Sequence, residues 1–195
     1  MEIKEIENEE IIENYNECEL KEEKRKISIN TVFYIFAIGA IIGWFYELIF
    51  YKVTEGVLRN NGFFYGPYLP VYGFGAVFMS LLLEKVKNKP VIFFISAMIL
   101  TGVVEYITGL ELEKIWKIHL WDYNGLFLNI SGYVCLRSVV SFAIGGLMLI
   151  YWVEPTLEKF ENKISKKMSN IICISLFILI MIDVIISLIY RHPIM

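Results

Sequence analysis

The amino-acid sequence predicts an all-α integral membrane protein. It reads as a bundle of about five transmembrane helices, with a broken outer half of helix 2, an external interfacial loop and a cytoplasmic amphipathic helix. Three observations carry that prediction. Hydrophobic residues make up 56% of the chain and mean hydropathy is +0.56, more than a soluble core of this size requires. The apolar residues gather in long runs, each near the ~20 residues that carry a helix across a bilayer. Lys and Arg collect between alternate runs, as the positive-inside rule demands.

Residues 1–27 form a charged tail placed in the cytoplasm, acidic first and then basic at Lys24-Arg25-Lys26. Positions 1–20 hold eight Glu against one Lys and no apolar run, so no secretory signal is visible and the first span is expected to act as an uncleaved anchor. The transmembrane domain then covers 28–195, with spans at about 28–51, 64–83, 90–109, 133–153 and 170–190. Twelve basic residues lie in the tail and in the loops near 85–89 and 159–167. Five lie on the opposite side: Lys52, Arg59, Lys114, Lys117 and Arg191. That bias predicts a multi-pass protein of the cell (plasma) membrane with a cytoplasmic N-terminus and an external C-terminus.

The second span is unlike the others. From Asn60 to Gly73 it is too apolar for an ordinary loop and too rich in Gly and Pro for an ordinary helix. Pro67 and Pro70 lack a backbone donor, while Gly66 and Gly73 permit angles that other residues resist. Such backbone survives at membrane depth only where protein or a water-filled cavity satisfies it. The third and fourth spans are joined by an aromatic loop carrying Trp116, His119, Trp121, Asp122 and Tyr123, a density that suits the headgroup level. Between Glu154 and Asn170, Leu157, Phe160, Ile164 and Met168 repeat at three or four, the spacing of a short amphipathic surface helix.

Four ionisable residues fall inside spans: Glu47, Glu105, Arg137 and Asp183. Each costs roughly 2.5–3.5 kcal/mol to insert at a helix centre, so each needs a partner or water. Counting residues from the span ends at ~1.5 Å each puts all four in one layer near the outer boundary. Small residues mark their faces. Gly39, Gly43 and Glu47 share one stripe, as do Thr101, Gly102, Glu105, Thr108 and Gly109, and also Arg137, Ser141 and Gly145. Arg137 is expected to pair with Glu47 or Glu105, leaving an excess of acid that a proton, a cation or a cationic headgroup balances.

Other chemistries lack their residues. Cys18, Cys135 and Cys173 are scattered without metal spacing, and no cofactor is implied. His119 and His192 are far apart, no phosphate-binding loop motif occurs, and no basic stripe suits nucleic acid. The chain is therefore not read as an enzyme.

Taken together, the runs NNGFFYGPYLPVYGFG, EYITGLELEKIW, WDYNGLFLNISGY and CLRSVVSF resemble the bacterial ABC-transporter (type IV) permease membrane family, which has eukaryotic transmembrane relatives. The similarity covers about Gly43 to Val153. It implies a multispanning permease-like component with a separate ATPase subunit or other membrane protein as partner. Where the family carries Asn-Arg-Gly-Phe, this chain has Asn60-Asn61-Gly62-Phe63, one base fewer; the family's paired Trp before Asp-Tyr is Leu120-Trp121 here. The loss of that base weakens any role in binding an anion.

The expected site is thus an outward-facing pocket for a small cationic or zwitterionic ligand or a lipid headgroup. Its acids and base are Glu47, Glu105 and Arg137. Asn61, Gly62, Tyr65, Gly66, Pro67 and Tyr72 come from the broken segment, and Glu113, Trp121, Asp122, Tyr123 and Asn129 from the aromatic loop. Two alternatives stay open: a non-transport structural or interaction protein of the envelope, and an intramembrane enzyme.

Overall fold

A computed structural model describes residues 28–58, 62–117 and 121–190. The charged tail, Asn61, His119 and His192 lie outside the described residues, as does the side chain of Trp116. Helix α1, Ile29–Glu55, opens with Ser28 as its cap, the hydroxyl accepting the Thr31 N–H at 3.1 Å. It closes on Gly56 at φ +74°, the left-handed angle at which glycine ends helices. Helix α2, Pro70–Leu82, begins on its proline and has only 13 residues, about 20 Å, too short to cross a bilayer alone. The irregular segment Gly62–Leu69 leads directly into it.

Helix α3, Pro90–Glu111, runs on through a π-helical turn at Leu112–Trp116 and stops at Lys117, which is left-handed at φ 57°. Helix α4, Leu136–Met148, continues through a π-helical turn at Leu149–Val153 into α5, Glu154–Glu161. Helix α6 is Lys166–Tyr190. Four of these rods, starting at Ile29, Pro90, Leu136 and Lys166, are long and apolar enough to cross a membrane, with α2 a shorter fifth. Among the described residues there is no strand, only a single bridge between Ile130 and Val134. The molecule is an all-α membrane bundle.

Close approach between helices explains the glycines. A Cβ on Gly39 would fall 2.6 Å from Ala76 Cβ, and one on Gly43 only 2.1 Å from Tyr72 Cγ. Bare backbone there lets α1 and α2 meet antiparallel. At the top of α2, Leu69 N–H donates to Ala40 O at 3.0 Å, pinning the end of the irregular segment to the middle of α1. Helices α3 and α4 pair through the buried stripe Phe93, Ala97, Thr101 and Glu105. Helix α6 lies parallel to α1, with Asn30 Nδ2 donating to Ser169 Oγ at 3.0 Å and Tyr34 OH to Ser169 O at 3.1 Å. One end of the bundle, called basal below, thus gathers Ile29, Leu82, Pro90, Glu161 and Lys166. The other, the loop end, gathers Glu55, the irregular segment and residues 112–117 and 121–135.

Helix α4 departs from the sequence expectation. Its packed face is Ser138, Val139, Ala143 and Gly146, one residue on from the anticipated Arg137, Ser141 and Gly145. Gly145 faces open space, whereas a Cβ on Gly146 would meet Met79 Sδ at 2.6 Å. One residue is ~100° of helix rotation, enough to swing Arg137 out of the packed face. The apolar repeat after Glu154 also divides between two helices: Leu157 is buried in α5, and Met168 lies half-exposed in α6.

Candidate functional site

The loop end is built around Glu105, which α3 carries on its buried stripe at 9% exposure. Two hydroxyls reach its carboxylate: Tyr123 OH donates to Oε1 at 3.2 Å, and Ser138 Oγ to Oε2 at 2.6 Å. Ser138 also closes the capping box at the start of α4, its hydroxyl accepting the N–H of the cap residue Cys135 at 3.3 Å. Glu105 therefore lies at the start of α4, where the helix dipole favours negative charge. Burial, and then the neighbouring Glu105 carboxylate, push the Tyr123 phenol above its ordinary range.

A second acid–tyrosine pair lies beside the first. Tyr72 OH donates to Glu47 Oε1 at 3.1 Å, with its ring stacked on Phe142 at 5.1 Å between centroids. Both pairs abut α4, the first through Ser138 and the second through Phe142.

Arg137 does not form the expected bridge. Among the described residues no ion pair joins it to Glu47 or Glu105. Its guanidinium lies 4.8 Å from the centroid of the Phe50 ring and the residue is exposed. The cause is the rotation of α4: burying Ser138 against Glu105 turns the preceding residue outward, where an aromatic face on α1 receives the cation.

The aromatic loop is self-supporting. Trp121 Nε1 donates to Tyr133 O at 2.8 Å, Asp122 Oδ1 accepts the Asn124 N–H at 2.8 Å, and Asn129 Nδ2 donates to Leu126 O at 2.9 Å. Glu113 accepts the Tyr133 hydroxyl, which raises that phenol above its usual range. Leu128 and Ser131 hold left-handed angles, φ 51° and 53°, a conformation uncommon for residues other than glycine. Trp121, Asp122, Asn129 and Glu113 thus shape the loop that delivers Tyr123.

The broken segment engages a residue that sequence reasoning left out of the site. Gly66 N–H and Tyr68 OH both donate to Asp183 Oδ2 on α6, at 3.1 and 2.7 Å. Gly62 is buried, while Tyr65 and Pro67 are exposed. Another missed group lies toward the basal end, where the fully buried Ser80 donates to Glu154 Oε1 at 2.5 Å. The sequence pattern puts Glu154 at the start of a surface helix, whereas its position after a continuous α4 places it inside. An open cleft of about 260 Å³ also lies at the basal end, lined by Ser28, Ile29, Asn30, Glu161, Ile164, Lys166, Ser169 and Asn170. Among the described residues no three His, Cys, Asp or Glu gather as a metal set.

Against known proteins, a family model described as "Putative ABC-transporter type IV" matches residues 34–188. No curated protein and no solved structure gives a significant match. The match reaches into every helix and takes in both acid–tyrosine pairs, and the chain is a multispanning membrane protein that belongs to this ABC-transporter type IV family.

Proposed function

We propose that the chain is a transport component whose loop end binds a small cationic or zwitterionic ligand, or an amine-bearing lipid headgroup. One observation carries this reading. Glu105 is buried within a span and held by two neutral hydroxyls, with no ion pair among the described residues. A buried carboxylate is costly until a cation or proton completes it. Tyrosines at that point offer an apolar wall with polar tips, suited to an ammonium group.

Orientation follows from the basic residues: tail and basal end in the cytoplasm of a plasma-membrane protein, loop end outside. The pocket then faces outward. The family name supports a separate ATPase as partner, with α5 and the turn after it as its dock. A non-transport binding role in the envelope is the second reading. It is favoured by the brevity of the basal connection between α2 and α3, where only the short turn Glu84–Val86 intervenes.

The test is retention of phosphatidylethanolamine and phosphatidylglycerol by the purified protein, read by native mass spectrometry, with ethanolamine and choline as soluble competitors. Wild type should retain phosphatidylethanolamine selectively, and Glu105→Gln should lose it at equal folded yield. Equal retention by both proteins would make Glu105 a structural residue. Amine uptake into vesicles on addition of the ATPase separates transport from binding alone.

A further inference from the structure

Arg137 is the second residue of a 26-residue apolar rod, Leu136–Glu161. At ~1.5 Å per residue that rod is about 39 Å long, against a hydrocarbon core of about 30 Å. Its loop end therefore projects into the headgroup layer and carries Arg137 there. The guanidinium lies over the Phe50 ring, 4.8 Å from the centroid, and has no ion pair or hydrogen bond among the described residues. An aromatic face shares the charge but accepts no conventional hydrogen bond, so the five N–H donors still call for oxygen acceptors.

The surroundings of Arg137 face lipid. On α4, Arg137, Ile144 and Met148 recur at i, i+7 and i+11, a single helix face, and all three are exposed. Gly145, beside Ile144, meets open space. On α1, Tyr46 and Val53 stand about one turn either side of Phe50 and are exposed as well. Exposed aliphatic surface on a membrane rod is covered by acyl chains, so the face that bears the arginine is an acyl-chain track with a cation at its head. The anion available at that depth is the phosphodiester of the same lipid. A planar guanidinium fork matches phosphate oxygens in pairs, with charge-assisted hydrogen bonds.

We propose that Arg137 binds the phosphodiester of a phospholipid at the loop end of the bundle, with an acyl chain laid along α4 past Ile144 and Met148. Recognition is of the phosphate and not of the headgroup beyond it. The site stands apart from the Glu105 pocket and does not depend on the reading of that pocket. Being exposed, it exchanges lipid with the surroundings, so occupancy is read by titration and not by retention through purification.

The experiment is thermal unfolding of the purified full-length protein in detergent, titrated with dioleoyl phosphatidylglycerol, which has no amine for the Glu105 pocket. Dioleoylglycerol serves as the phosphate-free lipid and inorganic phosphate as the free anion. The wild-type midpoint should rise saturably with phosphatidylglycerol alone, as a ligand that binds only the folded state requires. Arg137→Ala and Arg137→Gln should each raise the half-saturating lipid concentration about tenfold or more, and Glu105→Gln should leave it unchanged. The site is overturned if wild type shows no saturable rise, if both Arg137 variants respond as wild type does, or if Glu105→Gln abolishes the response. An equal rise with dioleoylglycerol would remove the phosphate from the interaction, and an equal rise with inorganic phosphate would remove the lipid; either overturns it. Should Arg137→Ala fail to fold, Arg137→Gln decides, and failure of both to fold would contradict an exposed guanidinium and overturn the site as well.

Discussion

Tyr123 donates its hydroxyl to Glu105 across 3.2 Å, which fastens the connection between two membrane helices to the buried face of the first. The contact makes the loop part of the site, because the side chain completing the Glu105 environment lies 18 residues away in sequence.

Removing that hydroxyl tests the coupling. Tyr123→Phe should destabilise the protein by roughly 1.5–3 kcal/mol, the range for a hydrogen bond to a charged group, measured as a shift in the unfolding midpoint in detergent. The wild-type pH profile carries a second signature. With the Tyr123 phenol raised in the folded state, its contribution is complete below the ordinary phenol range near ~10. Above that pH the unfolded chain loses the proton first and stability declines. Tyr123→Phe should flatten this alkaline limb; an unchanged limb would sever the contact from stability.

Arg137→Ala should fold. An exposed cation over an aromatic ring contributes about 0.5–1 kcal/mol, against roughly 3–5 kcal/mol lost when one partner of a buried ion pair is removed. Folded yield after size-exclusion chromatography distinguishes the two. Collapse of the variant would restore the ion-pair expectation.

Glycines should divide by the helix face they occupy. Gly43→Ala drives a methyl into the Tyr72 ring, and Gly146→Ala drives one toward Met79 and Phe93. Overpacking of this kind costs typically ~1–3 kcal/mol. Gly75→Ala and Gly145→Ala meet open space and should lose nothing. Thermal midpoints of the four variants give the comparison, and equal values across the set would refute the packing described for α1–α2 and α2–α4.

Orientation is tested by impermeant thiol labelling of intact cells, in a background without native cysteine. Cysteine introduced at Gly56 or Asn124 should react from outside, and at Lys87 or Lys163 only after permeabilisation. The reverse pattern would put Glu105 near the cytoplasmic face.

Hydropathy by itself determined that this chain is an all-α membrane protein, because lipid offers no partner to polar backbone groups and a long apolar run must satisfy them within itself as a helix. Composition likewise marked the break before α2: Gly66, Pro67 and Pro70 cannot sustain a regular ladder, and that local constraint is written in the residues. Glu47 and Glu105 were legible as site candidates for a similar reason, since a carboxylate in an apolar run needs a partner. Which partner was not legible. Tyr72, Tyr123 and Ser138 come from three different elements, and their convergence depends on how α1–α2 and α3–α4 dock. Rotation mattered most. Periodicity locates a helix face only to about one residue, and one residue is ~100°. That difference placed Ser138 rather than Arg137 against Glu105, and it turned the arginine outward onto Phe50. Glu154 escaped notice because its charge suggested surface, whereas continuity of α4 into α5 carried it inward to Ser80. Asp183 shows the same division. Its presence in a span was plain, but only the return of Gly66 and Tyr68 toward α6 brought it donors, because contacts more than 100 residues apart in the chain arise from packing and leave no local pattern.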